Sequence, residues 1–292
     1  MPRVAGRGYQ GWLASQPDTL PRFMATIQAG GQTLYYELHG EGEPLLCVMG
    51  LAADALAWTL QVPAFSARHR TVIFDNRDVG RSSIATRDYE ITDMAKDAFA
   101  LADALELDSF HLLGVSMGGA IGQEMALAAP DRIRTLTLAV TFAAGGAYAN
   151  KLSEVWGARV HKLTLEERVD ELMLLCHSEE FFENADAVAT VRGVMLENPH
   201  PQPPEAFARQ LAACSRHETR DRLGSLSMPV HVIGAERDIL VPVWKSTEIA
   251  SLIPGAELTV IERAPHGLNI ERAEEFNRAV LDFIAERTAA PA

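Results

Sequence analysis

Short, nearly continuous apolar runs recur along the chain: PLLCVMG (44–50), RTVIFDNRD (70–78), FHLLGVS (110–116), IRTLTLAV (133–140) and PVHVIGAE (229–236). A strand without polar alternation is buried on both faces. Helical stretches separate the first three runs, around residues 57–67 and 92–107. Strand and helix taking turns leave one economical architecture, an α/β fold with a mostly parallel central sheet and helices on both faces. GQTLYYELHG (31–40) alternates apolar with polar and ends at a glycine, which reads as an antiparallel edge strand. AELTVIE (256–262) completes the strand set, and EEFNRAVLDFIAER (274–287) closes the fold as an amphipathic helix.

Between Thr141 and Leu226 the strand signal disappears, and the sequence reads as several helices with a proline-rich break at NPHPQPP (198–204). Connections between core elements are usually a handful of residues. An insertion of this length is therefore expected to form a helical lid, residues 142–226, placed before the last two strands of a core built from 24–141 and 227–292. Residues 1–23 carry arginines but no apolar h-region, so they read as an N-terminal extension rather than a secretory signal. A leader, a tag remnant and an upstream start codon all fit that extension.

Composition narrows the function classes. The formal net charge is −13 and no Lys/Arg cluster is present, which disfavours nucleic acid and anionic membrane surfaces as partners. No run reaches the roughly 18–20 apolar residues of a membrane helix. Three cysteines, Cys47, Cys176 and Cys214, are an odd number without C-x-x-C spacing, so neither a disulfide framework nor a zinc cage is indicated. These features point to a cytoplasmic protein acting on a neutral small molecule, with its oligomeric state unreadable.

The chemistry is suggested by HLLGVSMGGAIGQ (111–123), where an apolar run ends in a glycine-crowded turn with Ser116 at its apex. G-V-S-M-G fits G-x-S-x-G in the strand, turn, helix setting that lifts a serine hydroxyl above a sheet. A helix-capping serine also fits this short pattern. A dinucleotide loop does not, since serine stands where its second glycine is needed. A serine nucleophile needs a base, and the base needs a carboxylate to hold its tautomer. Asp238 lies just beyond the run PVHVIGAE, and His266 lies in the loop beyond AELTVIE. Their order along the chain, Ser, Asp, His, is that of the hydrolase sheet.

With CVMGLAADALAW, FDNRDVGRSS, GVSMGG, GAERDILVP and APHGLNIE in order, residues 25–287 resemble the α/β-hydrolase superfamily. Within it they resemble the lidded esterases and related hydrolases, a group that includes antibiotic methylesterases and 3-oxoadipate enol-lactonases. The resemblance implies an α/β-hydrolase fold with Ser116 as nucleophile, His266 as base and Asp238 as its orienting carboxylate. It implies an oxyanion hole formed by the backbone N–H groups of Leu51 and Met117, and no cofactor or metal. Serine at 116 excludes relatives that use an aspartate nucleophile.

Two departures stand out. Met49-Gly50 replaces the His-Gly of many relatives, and Gly50 is expected to be required for backbone angles that a Cβ would obstruct. Asp78 replaces the first glycine of D-x-R-G-x-G-x-S; Asp75, Arg77 and Arg81 beside it read as a structural charge network. Leu51, Trp58, Met117, Phe142, Ile239 and Leu268 flank the motifs, and Trp156, Met173, Phe181, Phe182 and Met195 lie in the lid. More than half of the lid residues are expected to pack the lid's own core. Hydrolysis of small or medium acyl esters is the favoured activity. Lactone or carbon–carbon bond hydrolysis on the same triad, and a binding protein with a slow or silent site, are the alternatives.

Overall fold

A computed structural model describes residues 22–288. Eight strands among them form one sheet: β1 (Arg22–Ala29), β2 (Gln32–His39), β3 (Pro44–Val48), β4 (Arg70–Phe74), β5 (Phe110–Val115), β6 (Ile133–Ala139), β7 (Val230–Ala235) and β8 (Glu257–Ile261). The spatial order is β1-β2-β4-β3-β5-β6-β7-β8. The β1–β2 and β2–β4 pairs are antiparallel, and every pair from β3–β4 onward is parallel. Parallel neighbours require crossovers, and the helices supply them: α1 (Val62–Ser66), α2 (Ile91–Ala104), α3 (Met117–Ala128), then α4 (Gly146–Val160), α5 (Leu165–Cys176), α6 (Glu179–Phe182), α7 (Ala185–Leu196), α8 (Pro204–Arg216), and finally α9 (Trp244–Leu252), α10 (Leu268–Glu271) and α11 (Ala273–Thr288).

Helices α2, α3 and α9 pack one face of the sheet through residues such as Met94, Leu101, Ile121 and Ile249. The other face is covered by α1 and α11 through Phe65, Phe276, Val280 and Ile284. All of β5 is buried, which accounts for a sequence that is apolar apart from His111, whose Nδ1 lies 2.9 Å from Thr135 Oγ1.

The fold begins earlier than the sequence indicates: Arg22 and Phe23 already belong to β1, and the rest of the N-terminal extension lies outside the described residues. β1 pairs with β2 along its whole length at the sheet edge. Of its side chains from Phe23 onward only Ala29 is buried, with Ala25 and Ile27 half-buried against the core, so the apolar signal in the sequence is weak. The expected helix over 57–67 is instead a 3-10 turn at Ala55–Trp58 followed by α1.

Helices α4–α8 all lie between β6 and β7. Trp156 and Val160 of α4 pack on Phe207 and Leu211 of α8, and Val169, Met173 and Phe181 centre a second cluster with α7. Between this lid and the C-terminal ends of the strands is a cavity of about 1560 Å³, lined by Ser116, His266 and residues of α4–α8. Among the described residues no helix is long and apolar enough to cross a membrane.

Candidate active site

Ser116 leaves β5 with φ 57° and ψ −122°, a region that non-glycine residues rarely enter. The neighbours enforce it. Ser116 N–H donates to the Ala139 carbonyl at 2.9 Å, and its own carbonyl accepts from Thr141 Oγ1 at 2.7 Å and from Gly119 N–H at 2.9 Å. Space for so sharp a turn comes from missing side chains. A Cβ on Gly114 would overlap the Gly118 carbonyl, one on Gly118 would overlap the Val48 carbonyl, and one on Gly119 would sit 2.5 Å from Thr141 Cβ.

The three triad positions meet. His266 Nε2 is 3.0 Å from Ser116 Oγ, and His266 Nδ1 is 2.7 Å from Asp238 Oδ2. Asp238 Oδ1 accepts from the N–H groups of Leu240 at 2.9 Å and Val241 at 2.7 Å. Both oxygens of this buried carboxylate are therefore committed, and it is oriented before any ligand arrives. The Nδ1–H of His266 donates to Asp238, which leaves Nε2 to accept from the serine hydroxyl. Cys176 also lines the cavity, where burial and then the charge of Asp238 push its thiol up to about 12, which favours the protonated form.

Leu51 and Met117 flank Ser116 on the cavity wall. Neither backbone N–H has a protein acceptor among the described residues. Gly50 runs close beneath: a Cβ there would lie 2.9 Å from Ser116 Cβ and 3.4 Å from its Oγ. The need for glycine at 50 is thus one of space, not of the backbone angles expected from the sequence, because Gly50 is absent from the positive-φ residues. The left-handed residue of this loop is Ala52, φ 62°.

The charge network on 75–81 has the structural form expected of it. Asp75 accepts from Ala55 N–H at 2.7 Å, from Arg81 N–H at 2.8 Å and from Arg81 Nε at 3.0 Å. Arg77 forms a fork on Asp97 at 2.5 and 2.7 Å. Asp78 does something the sequence does not suggest. Fully buried, it accepts from Arg209 Nε and Nη2 at 2.8 and 2.9 Å, from Ala85 N–H at 2.7 Å and from Tyr89 Oη at 2.8 Å, anchoring lid helix α8 to the core. The lid is seamed to the histidine loop as well. Gly267 N–H donates to the Cys176 carbonyl at 2.7 Å, and Glu271 accepts from His177 Nδ1 at 2.9 Å and from Ser178 N–H and Oγ at 2.9 and 2.6 Å. Burial pushes the Glu271 carboxyl up, but these donors outweigh it and hold the group below the ordinary carboxylate range.

Of the apolar residues noted in the sequence, Leu51, Met117, Phe142 and Ile239 line the cavity, whereas Trp58 and Leu268 are buried in the core beneath it. In the lid, Trp156, Met173, Phe181 and Met195 line the cavity while also packing the lid clusters. Phe182 packs the second lid cluster without reaching the cavity, so four of the five lid side chains serve both lid core and pocket wall and one serves the lid core alone. Among the described residues no three His, Cys, Asp or Glu side chains converge so as to hold a metal ion.

Comparison with known proteins agrees with this architecture. Residues 43–273 match a family model described as the alpha/beta hydrolase fold. The chain is 30% identical over 269 residues to a candidate carbamate hydrolase, RutD, of Azorhizobium caulinodans, covering 90% of this chain and 99% of that one. Among solved structures it is similar to the enol-lactonase from Burkholderia xenovorans LB400, with a TM-score of 0.82, 25% identity and coverage of 89% and 100% of the two chains. A thermophilic esterase from Thermogutta terrifontis is similar at a TM-score of 0.81 and 25% identity, with 91% and 99% covered. With its sheet order, inserted lid and family match over most of its length, the chain belongs to the alpha/beta hydrolase fold family and is a hydrolase.

Proposed function

We propose that the protein is a serine hydrolase that cleaves carboxylic esters of small or medium acyl chains through an acyl-enzyme on Ser116. The observation that carries this reading is the unbroken hydrogen-bond chain from Asp238 through His266 to Ser116, whose links are 2.7 and 3.0 Å. In the proposed first step His266 Nε2 takes the Ser116 proton as Oγ attacks the ester carbonyl carbon. The tetrahedral oxyanion is held by the N–H groups of Leu51 and Met117. His266 then gives the proton to the departing alcohol, and water repeats the sequence on the acyl-enzyme. Asp238 keeps the imidazole in the required tautomer throughout.

The apolar wall formed by Leu51, Phe142, Trp156 and Ile239 supports an uncharged acyl group. The same triad can attack a carbamate carbonyl, which is less electrophilic than an ester's, and the 30% identity to the RutD protein favours that as the second reading. Three free cysteines, two of them buried, accord with action in the cytoplasm.

The test is initial rates on p-nitrophenyl esters from acetate to decanoate, alongside aryl carbamates and lactones, for wild type and Ser116→Ala. Loss of turnover by about 10³-fold or more in the variant, with its fold intact, is the expected result. Wild-type rates in Ser116→Ala refute the mechanism. Turnover of carbamates or lactones but of no simple ester refutes the ester assignment and leaves the triad standing.

A further inference from the structure

The loop that carries the proposed oxyanion donor does not hold itself. Residues 50–53 form a turn in which Ala53 N–H donates to the Gly50 carbonyl across a long 3.4 Å, and Ala52 stands at φ 62°. A residue with a Cβ is strained there and keeps the conformation only where its surroundings impose it. The support comes from the lid. Ala52 N–H, at the centre of the turn, donates to Oε1 of Gln210 on α8 at 3.1 Å, across 158 residues of sequence.

Gln210 is fully buried and its amide has one possible orientation. Nε2 donates to the Arg77 carbonyl at 2.9 Å, and Oε1 also accepts from Gln202 Nε2 at 2.9 Å. The Arg77 carbonyl can only accept and the Ala52 N–H can only donate, so a flipped amide would break both bonds. The helix itself is fixed one residue earlier, where Arg209 forks onto buried Asp78. Gln210 is thus a rigid strut from a clamped helix to the middle of the turn. Leu51, the residue before Ala52, has an N–H without a protein acceptor, and Gly50 packs against Ser116.

We propose that Gln210 is a positioning residue for catalysis: through Ala52 it fixes the turn that aims the Leu51 N–H at the carbonyl oxygen of the bound substrate. This rests on the Ser116 acyl-enzyme reading. It makes the oxyanion hole a joint product of core and lid, so that the lid helix α8 sets the rate of the chemical step as well as enclosing the substrate. Removing Gln210 leaves the triad untouched and lets the turn relax, which weakens stabilisation of the transition state more than binding of the ground state.

The test compares wild type, Gln210→Met, Gln210→Asn and Ser116→Ala on an ester and on the matching thionoester. Met keeps the length without the acceptor, and Asn keeps an amide but withdraws it by one methylene. Sulfur is a poor hydrogen-bond acceptor, so a working oxyanion hole favours the ester over the thionoester, and a damaged hole loses that preference. Expected for either Gln210 variant is a 10- to 100-fold fall in kcat on the ester, KM within about threefold, and an ester-to-thionoester ratio at least fivefold lower. If the Met variant does not fold, the Asn variant carries the same comparison. A Gln210 variant with the wild-type kcat and ratio overturns the proposal while Ser116→Ala is silent. Equal loss on both substrates overturns it too, because that is the signature of a merely structural contact. Activity retained in Ser116→Ala overturns the underlying reading and the positioning role with it.

Discussion

Replacing Arg209 with Met should release lid helix α8 from the core at a cost that can be worked from the geometry. Asp78 has no exposed surface and takes four donors, two of them from the guanidinium. Without Arg209 the carboxylate keeps only Ala85 N–H and Tyr89 Oη, neutral groups that do not balance a buried charge. Breaking one side of a buried pair typically costs about 3–5 kcal/mol. The Arg209 side chain retains 15% exposure, so water reaches part of it and the lower end, about 3 kcal/mol, applies. At this chain length about 2 °C of Tm goes with each kcal/mol, which gives a fall of about 6 °C. The assay is thermal unfolding by circular dichroism at pH 7 for wild type, Arg209→Met, Asp78→Asn and the double variant. The cycle should yield a coupling of about 2–3 kcal/mol that changes little with salt, because a buried pair is poorly screened. A Tm within about 2 °C of wild type, or additive single effects, would refute the clamp and mean that Tyr89 and Ala85 alone satisfy Asp78.

Two further outcomes separate backbone crowding and buried titration from general fragility. Gly118→Ala puts a Cβ onto the Val48 carbonyl and 2.9 Å from the Met49 carbonyl, backbone atoms that cannot yield; it should cost about 3 kcal/mol or more, read as lost Tm or soluble yield. Gly122→Ala on the same helix meets only side-chain methyls from 3.5 Å outward, so it should be neutral or stabilise by up to about 1 kcal/mol, and a matching loss at both sites would sink the crowding argument. Burial lowers the pKa of His217 and of His231 to about 4. Since the unfolded chain binds those protons near pH 6.5, stability is full above pH 6.5 and falls as pH drops towards 4, by about 2 kcal/mol per histidine at pH 5. Thermal melts at pH 7 and pH 5 should show this, and His231→Phe should flatten the dependence; an unchanged slope in that variant would remove His231 from the account.

Much of this molecule is written locally in its sequence. The buried runs at 44–48, 70–74, 110–115 and 230–235 are apolar because both faces of their strands are covered, and that continuity, with helices between, dictates a parallel sheet. Ser116 is legible because a sharp strand-to-helix turn must be built from small neighbours, and Asp238 and His266 are legible because β7 and β8 follow β5 and β6 in parallel across the sheet, so their loops open on the same end as Ser116. Strand β1 was not legible: at the sheet edge Phe23, Met24, Thr26 and Gln28 are exposed, and only the small Ala25 and Ala29 with Ile27 pack on the core beside the pairing with β2. Gly50 was marked by position, yet the reason for it, the approach of Ser116 Cβ, exists only in three dimensions. The lid attachments follow the same rule. Asp78 with Arg209 and Ala52 with Gln210 are joined across 131 and 158 residues, and Ser178 with Glu271 across 93. No periodicity or spacing relates such partners, because a hydrogen bond between distant segments constrains only the two residues that meet. Local patterning therefore determined which hydrolase scaffold this chain builds, and tertiary packing alone decided how the lid is clamped to it and which lid residue reaches the loop beside Ser116.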